Sequence, residues 1–236
     1  METAARTPRL AGAFRAAASD FYYQSTRLVA ANVVWGAALL AILALAIWVS
    51  PALGIVASPL LCVPLAGVAR LAAQIVRGED VVLSDAWSAM RRYAVPAFVA
   101  GCGLVAATAV FVTNAVSGVA AGSPFGLAFA TLAGWGLLTT WTVAIAFWPI
   151  LVDPAREAMT LSSRVRLAGL IVLAEPLRFA GLAVAVGLIL ALSALVVAAL
   201  LTVSVAFVAV AAARVVLPAA DALEDRVGRR TVGDPA

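Results

Sequence analysis

The feature that most limits what this chain can fold into is a series of long, nearly uncharged apolar stretches, at residues 28–49, 53–73, 93–115, 125–151 and 177–217. About 20 apolar residues rising ~1.5 Å each cross a hydrocarbon layer ~30 Å thick, and a helix satisfies its own backbone where no water is present. The last stretch would reach about 60 Å as one helix, so it is expected to fold back, near residues 193–201. Ser50, Pro51 and Ala52 break the first two stretches apart. A charge-free Gly/Ser-rich connection at 116–124 separates the third from the fourth. Composition agrees. The chain is 64% hydrophobic and 12% charged, with a mean hydropathy of +1.07, whereas soluble domains are about half apolar and a quarter charged. Sixteen basic and 12 acidic residues cannot clothe so much apolar surface in water. A soluble enzyme, a nucleic-acid binder and a disordered tail are thereby excluded, and the fold class is all-α: a polytopic helical membrane protein.

Charge placement sets the number of crossings. Every basic residue is arginine, in four groups: Arg6, Arg9, Arg15 and Arg27; Arg70, Arg77, Arg91 and Arg92; Arg156, Arg164, Arg166 and Arg178; Arg214, Arg226, Arg229 and Arg230. The connections between these groups carry none. Under the positive-inside rule all four groups lie in the cytoplasm, which requires an even number of spans. The expectation is six transmembrane helices in three hairpins with both termini cytoplasmic; a five-span arrangement would put the arginine-rich C-terminus outside. The chain then divides into a basic N-terminal tail (1–27), a membrane domain (28–217) and a C-terminal tail (218–236). In the first tail Leu10, Phe14 and Phe21 recur at helical spacing, which suits either a helix on the membrane surface or a partly ordered tail. The first apolar stretch is too long for a cleaved signal core, and Pro59-Leu60-Leu61 lacks the small residues that precede a lipidated Cys62.

Little chemistry is visible. The absence of histidine removes imidazole triads, HExxH zinc sites and histidine proton relays. Cys62 and Cys102 sit in apolar runs and are expected to pack as small apolar residues. No cofactor or metal is implied. The pI of about 9.8 comes with no basic run interleaved with aromatics, so nucleic acid is not an expected partner. The spans show neither ionisable groups nor helix breaks near their middles, the usual marks of an ion-coupled transporter. Asn32, Asn114, Thr139, Thr140 and Thr142 are expected to hydrogen-bond between helices, at ~0.6 kcal/mol each. Gly101 and Gly103, Gly134 and Gly136, and Gly181 and Gly187 are expected to allow close helix approach.

Two cytoplasmic connections carry the remaining polar features. In residues 77–93, Ser84 is the expected N-cap of a helix with Asp85 in its first turn and Arg91 and Arg92 in its last. Trp87, Met90 and Ala94 are expected to share one face. That helix either orients the next span or, with Trp87, Met90, Arg91 and Arg92, docks a cytoplasmic partner. Asp80 and Asp85 are assigned to capping and solvation.

The order of parts resembles the YesL-like family of bacterial integral membrane proteins, a domain of unknown function. The resemblance rests on Asn32 and Trp35 in the first span, Pro59 and Pro64 in the second, and the turn Arg77-Gly78-Glu79. The aromatic and basic helix at 87–93 and the stretch Phe147-Trp148-Pro149-Ile150-Leu151-Val152-Asp153 complete it. Ala86-Trp87 replaces the family's usual aromatic pair. The resemblance implies a multi-pass protein of the bacterial cytoplasmic membrane, without established enzymatic activity, accompanying carbohydrate ABC importers; no functional residue is carried over.

Residues 156–178 also resemble, in part, the coupling loop of ABC permeases, with Glu157-Ala158-Met159 followed by Leu173-Ala174-Glu175-Pro176. Ser163 stands in place of the glycine, and Glu175 puts a charge where docking needs an apolar contact. Glu157, Arg164 and Arg166 are the candidate docking residues there. Two functions follow: a non-catalytic accessory protein of a carbohydrate-type ABC uptake system, with ABC subunits and the bilayer as partners, or a pore-forming permease subunit whose 156–178 loop meets a cytoplasmic ATPase. A lipid-modifying enzyme is disfavoured because no histidine, clustered carboxylates or phosphotransfer motif is present. A reporter fused after Asp234 is expected to give a cytoplasmic signal in a topology assay, and a periplasmic one would remove the six-span arrangement.

Overall fold

The computed structural model describes residues 10–232, with side chains to residue 226. Arg6, Arg9 and the side chains of Arg229 and Arg230 lie outside the described residues. The elements are α1 (Leu10–Tyr23), α2 (Ser25–Trp48), α3 (Pro51–Arg77), α4 (Leu83–Arg92), α5 (Ala94–Ala120), α6 (Pro124–Val152), α7 (Leu161–Ala174) and α8 (Pro176–Leu195). A ninth helix, α9, follows Val196 as a short turn Val197–Ala199, a π-helical turn Leu200–Ser204 and a long α-helix Val205–Val232. Six helices are long and apolar enough to cross a membrane: α2, α3, α5, α6, α8 and α9. The last helix does not stop at residue 217. It runs through Pro218 to Val232, so Asp221 and Glu224 belong to its body.

Local chemistry explains the ends. Gly78, at φ 73°, closes α3 in the left-handed conformation that glycine adopts without a Cβ clash. Ser123 Oγ accepts the Gly126 N–H at 3.1 Å, and Pro124 starts α6 where a missing N–H costs nothing. Helix α4 begins two residues earlier than expected, at Leu83. Ser84 is not its cap: the Asp85 carboxylate accepts the Val82 N–H at 3.2 Å, closing the first turn from the third helical position.

Among the spans α9 is the most buried and α5 the least. Helices α3, α6 and α9 contact one another and form the centre. Close approaches are made by small residues. A methyl group on Gly118 would fall 2.5 Å from the Gly126 carbonyl oxygen, so α5 and α6 touch backbone to backbone next to their connection. Gly101 lies against Cys62 and Pro59, and Gly136 against the Phe111 ring. Gly103, Gly134 and Gly187, expected at interfaces, have open space at their Cα instead. Gly36, Gly54, Gly67, Gly118 and Gly126 make tight contacts that were not anticipated.

The last apolar stretch breaks at Val196, inside the expected window. A π-helical turn follows at once, a helix break that was not visible in the sequence. Such a turn leaves backbone groups out of register, and in lipid each must find a partner. Asn32 supplies both. Fully buried, it donates from Nδ2 to the Leu200 carbonyl at 3.2 Å and accepts the Ala206 N–H at Oδ1 at 2.8 Å. Gly36, one turn along the same face of α2, lets the Leu201 backbone close in. Ser204 adds a hydrogen bond to Ser193 across the turn. The threonines behave otherwise: Thr139, Thr140 and Thr142 donate to carbonyls four residues back in their own helix rather than across helices. Asn32→Leu keeps the volume but strands two buried backbone groups, at about 1–3 kcal/mol each. Its melting temperature in mild detergent is expected to fall by at least ~5 °C; an unchanged value would remove Asn32 from this role.

Candidate functional site

At one end of the bundle the charged side chains gather into a network. Its pivot is Asp153, the first residue after α6, which is fully buried. Arg77, the last residue of α3, forks onto it with Nε to Oδ1 at 3.1 Å and Nη2 to Oδ2 at 2.7 Å. The same guanidinium reaches Asp221 of α9 at 2.7 and 3.0 Å. Arg156, only 4% exposed, also bonds to Asp153 and spans to Asp221 and Glu224 at 2.6 Å each. Asp221 and Glu224 stand three residues apart on one face of α9 and so meet Arg156 together. Asp153 further accepts the Ala155 N–H, which shapes the tight turn after α6. Arginine suits this place because its planar fork serves two carboxylates at once.

A second cluster adjoins the first. Glu157 takes Arg70 of α3 at 2.9 Å and Arg92 of α4 at 2.7 Å, and Arg70 also donates to the Val152 carbonyl. Arg164 of α7 is buried and donates to the carbonyls of Leu151, Arg156 and Glu157. Its bond to Leu151 satisfies a carbonyl that the end of α6 leaves open, and its guanidinium stacks 5.6 Å over the Tyr93 ring. Asp85 of α4 joins α3 through Gln74 at 3.3 Å.

These partners set protonation. Burial opposes the Glu157 carboxylate, but hydrogen bonds and charge from Arg92 and Arg70 outweigh it and hold its pKa below the ordinary carboxylate value. The stability this adds is present above the ordinary value and is lost as pH falls through the lowered one. For Arg156, burial opposes the charge, yet Glu224 and Asp221 hold its pKa above that of a free arginine. Among the described residues no group of three or more histidine, cysteine or carboxylate side chains is placed to hold a metal ion. The arrangement is suited to holding helix ends in register.

The seven residues expected to dock a partner separate in the structure. Met90 is only 7% exposed and packs on Gly67 of α3, while Ala86 and Ala89 point inward with it. Trp87 is 54% exposed, with the Arg91 guanidinium 5.3 Å over its ring. The expected common face of Trp87 and Met90 is therefore corrected: Met90 lines the inner face, and Trp87 and Arg91, four residues apart, form the outer one. Arg92 is exposed but paired, Glu157 is half-buried and paired, Arg164 is buried and Arg166 is exposed. Arg70, Arg77, Asp153, Arg156, Asp221 and Glu224 were missed as a group. Their signal was faint: each lies near a span end, close to residues of opposite charge. No family model, curated protein or solved structure matches the chain.

Asp153→Asn leaves two guanidinium groups short of charge in a buried site. Breaking such a network costs about 3–5 kcal/mol, so the melting temperature in detergent is expected to drop by roughly 10 °C. A variant as stable as the parent would mean that the network does not hold the helix ends.

Proposed function

We propose that this chain is a non-catalytic, multi-pass accessory protein of a bacterial cytoplasmic membrane that serves a carbohydrate-type ABC uptake system. Its six spans run as three hairpins, with both termini and the ionic network in the cytoplasm. The network supports this orientation, because it gathers Arg70, Arg77, Arg92 and Arg156 at one end of the bundle, where the positive-inside rule puts arginine. The uncharged approach of Gly118 to Gly126 lies at the far ends of α5 and α6.

One observation carries the partner reading. The ion pairs occupy most arginines of the connections, whereas Trp87 and Arg91 stay outward as a stacked aromatic and cation. Aromatic and arginine side chains are the ones most enriched at protein interfaces. The resemblance to proteins that accompany ABC importers names the class of partner. Glu157, central to the permease alternative, is engaged by Arg70 and Arg92 of its own chain, which favours an accessory role over a coupling loop.

Affinity purification of the tagged protein in mild detergent is expected to recover ABC subunits, and Trp87→Ala with Arg91→Ala to lower that recovery at least fivefold. Recovery of the chain alone, or of equal partner from the double variant, would overturn the reading.

A further inference from the structure

Between the spans lies a cavity of about 350 Å³, within the range of small-ligand pockets. All six spans line it, among them Trp35 of α2, Cys62 of α3, Leu104 of α5, Trp148 of α6, Val186 of α8 and Ala212 of α9. No charged side chain takes part. Irregular backbone borders it on three helices: the 3-10 turn before Cys62, Pro149 inside α6, and Leu200 of the π-helical turn. Straight helices would close up here, and bent ones leave space.

Water does not suit this space. A buried water needs two to four polar partners, and the lining side chains offer only a thiol and indole N–H groups, of which the Trp141 N–H is already given to the Ala183 carbonyl at 3.3 Å. Close packing disfavours leaving a hole of this size empty. Along α9 the lining runs from Leu200 to Ala212, roughly 18 Å, the depth of about one leaflet of hydrocarbon.

A second, more open space of about 560 Å³ adjoins the first between α5 and α6. It shares Leu104 and Trp141 with the first. Gly134, which has nothing near its Cα, forms part of its wall. Helix α5, on this side, is the most exposed span.

We propose that the cavity holds one acyl chain of a bilayer phospholipid, which enters laterally past Leu104 and Trp141 while its headgroup stays outside. The length, the apolar walls and the sideways opening match a tethered hydrocarbon chain. The assignment stands independently of any partner.

Native mass spectrometry of the protein purified in mild detergent is expected to show one retained phospholipid per chain. Ala212→Phe, which fills the cavity, and Leu104→Trp, which narrows the entrance, are expected to cut retention at least fivefold without lowering the melting temperature. Absence of retained lipid, equal retention in both variants, or a free fatty acid or isoprenoid in its place would overturn the proposal. If the variants do not fold, the unaltered protein in nanodiscs containing a phospholipid with a photoreactive acyl chain decides. Adducts are expected on Val205, Ala209 or Ala212; adducts confined to outward residues such as Val99 and Phe129 would overturn it.

Discussion

A guanidinium or carboxylate taken out of water must be met by an opposite charge or by hydrogen-bonding groups, and this requirement organises one whole end of the molecule. Asp153 is buried between Arg77 and Arg156, and both arginines go on to Asp221. The ends of α3 and α6 are thereby fixed against the body of α9. Glu157 and Arg164 extend the same constraint to α4 and α7. Asp153 and Asp221 are each shared by Arg77 and Arg156, so a change at one alters what the others bind and the network behaves as a unit rather than as a sum of pairs.

The other end is held by different forces. No charge is available there, and the helices meet through glycine and alanine backbones, as at Gly54 with Ala46 and Gly118 with Gly126. Dispersion at short range replaces ion pairing. Asn32 is the polar exception. It stitches α2 to the π-helical turn of α9 where the backbone cannot satisfy itself. Between the ionic end and this stitched turn the apolar cavity is bordered by the 3-10 turn of α3, Pro149 of α6 and the π-helical turn of α9.

The polar surface divides by role on the same physical ground. Arginines that face helix ends are consumed in holding them, and those a quarter-turn away stay in contact with solvent. On α4 the contrast lies within a single turn: Met90 packs on Gly67, while Trp87 and Arg91 stack outward.

Hydropathy alone determined the all-helical class, the approximate limits of six helices long and apolar enough to cross a membrane and the break near Val196, because hydrocarbon thickness sets the helix length a crossing needs whatever the neighbours are. The spacing of Leu10, Phe14 and Phe21 matches a helix, α1, but the rings of Phe14 and Phe21 pack on Phe207 of α9; the spacing of residues 84–92 likewise matches α4. Tertiary structure decided what each polar group touches. Arg77 finds Asp153 and Asp221 at separations of 76 and 144 residues, which no local pattern encodes. It also set the rotation of α4 that turns Met90 inward, the bonding of Thr140 and Thr142 to their own helix, and the choice of Gly118 over Gly103 as a contact. Those outcomes depend on helix phase and on which neighbour lies opposite, and both exist only once the helices have packed.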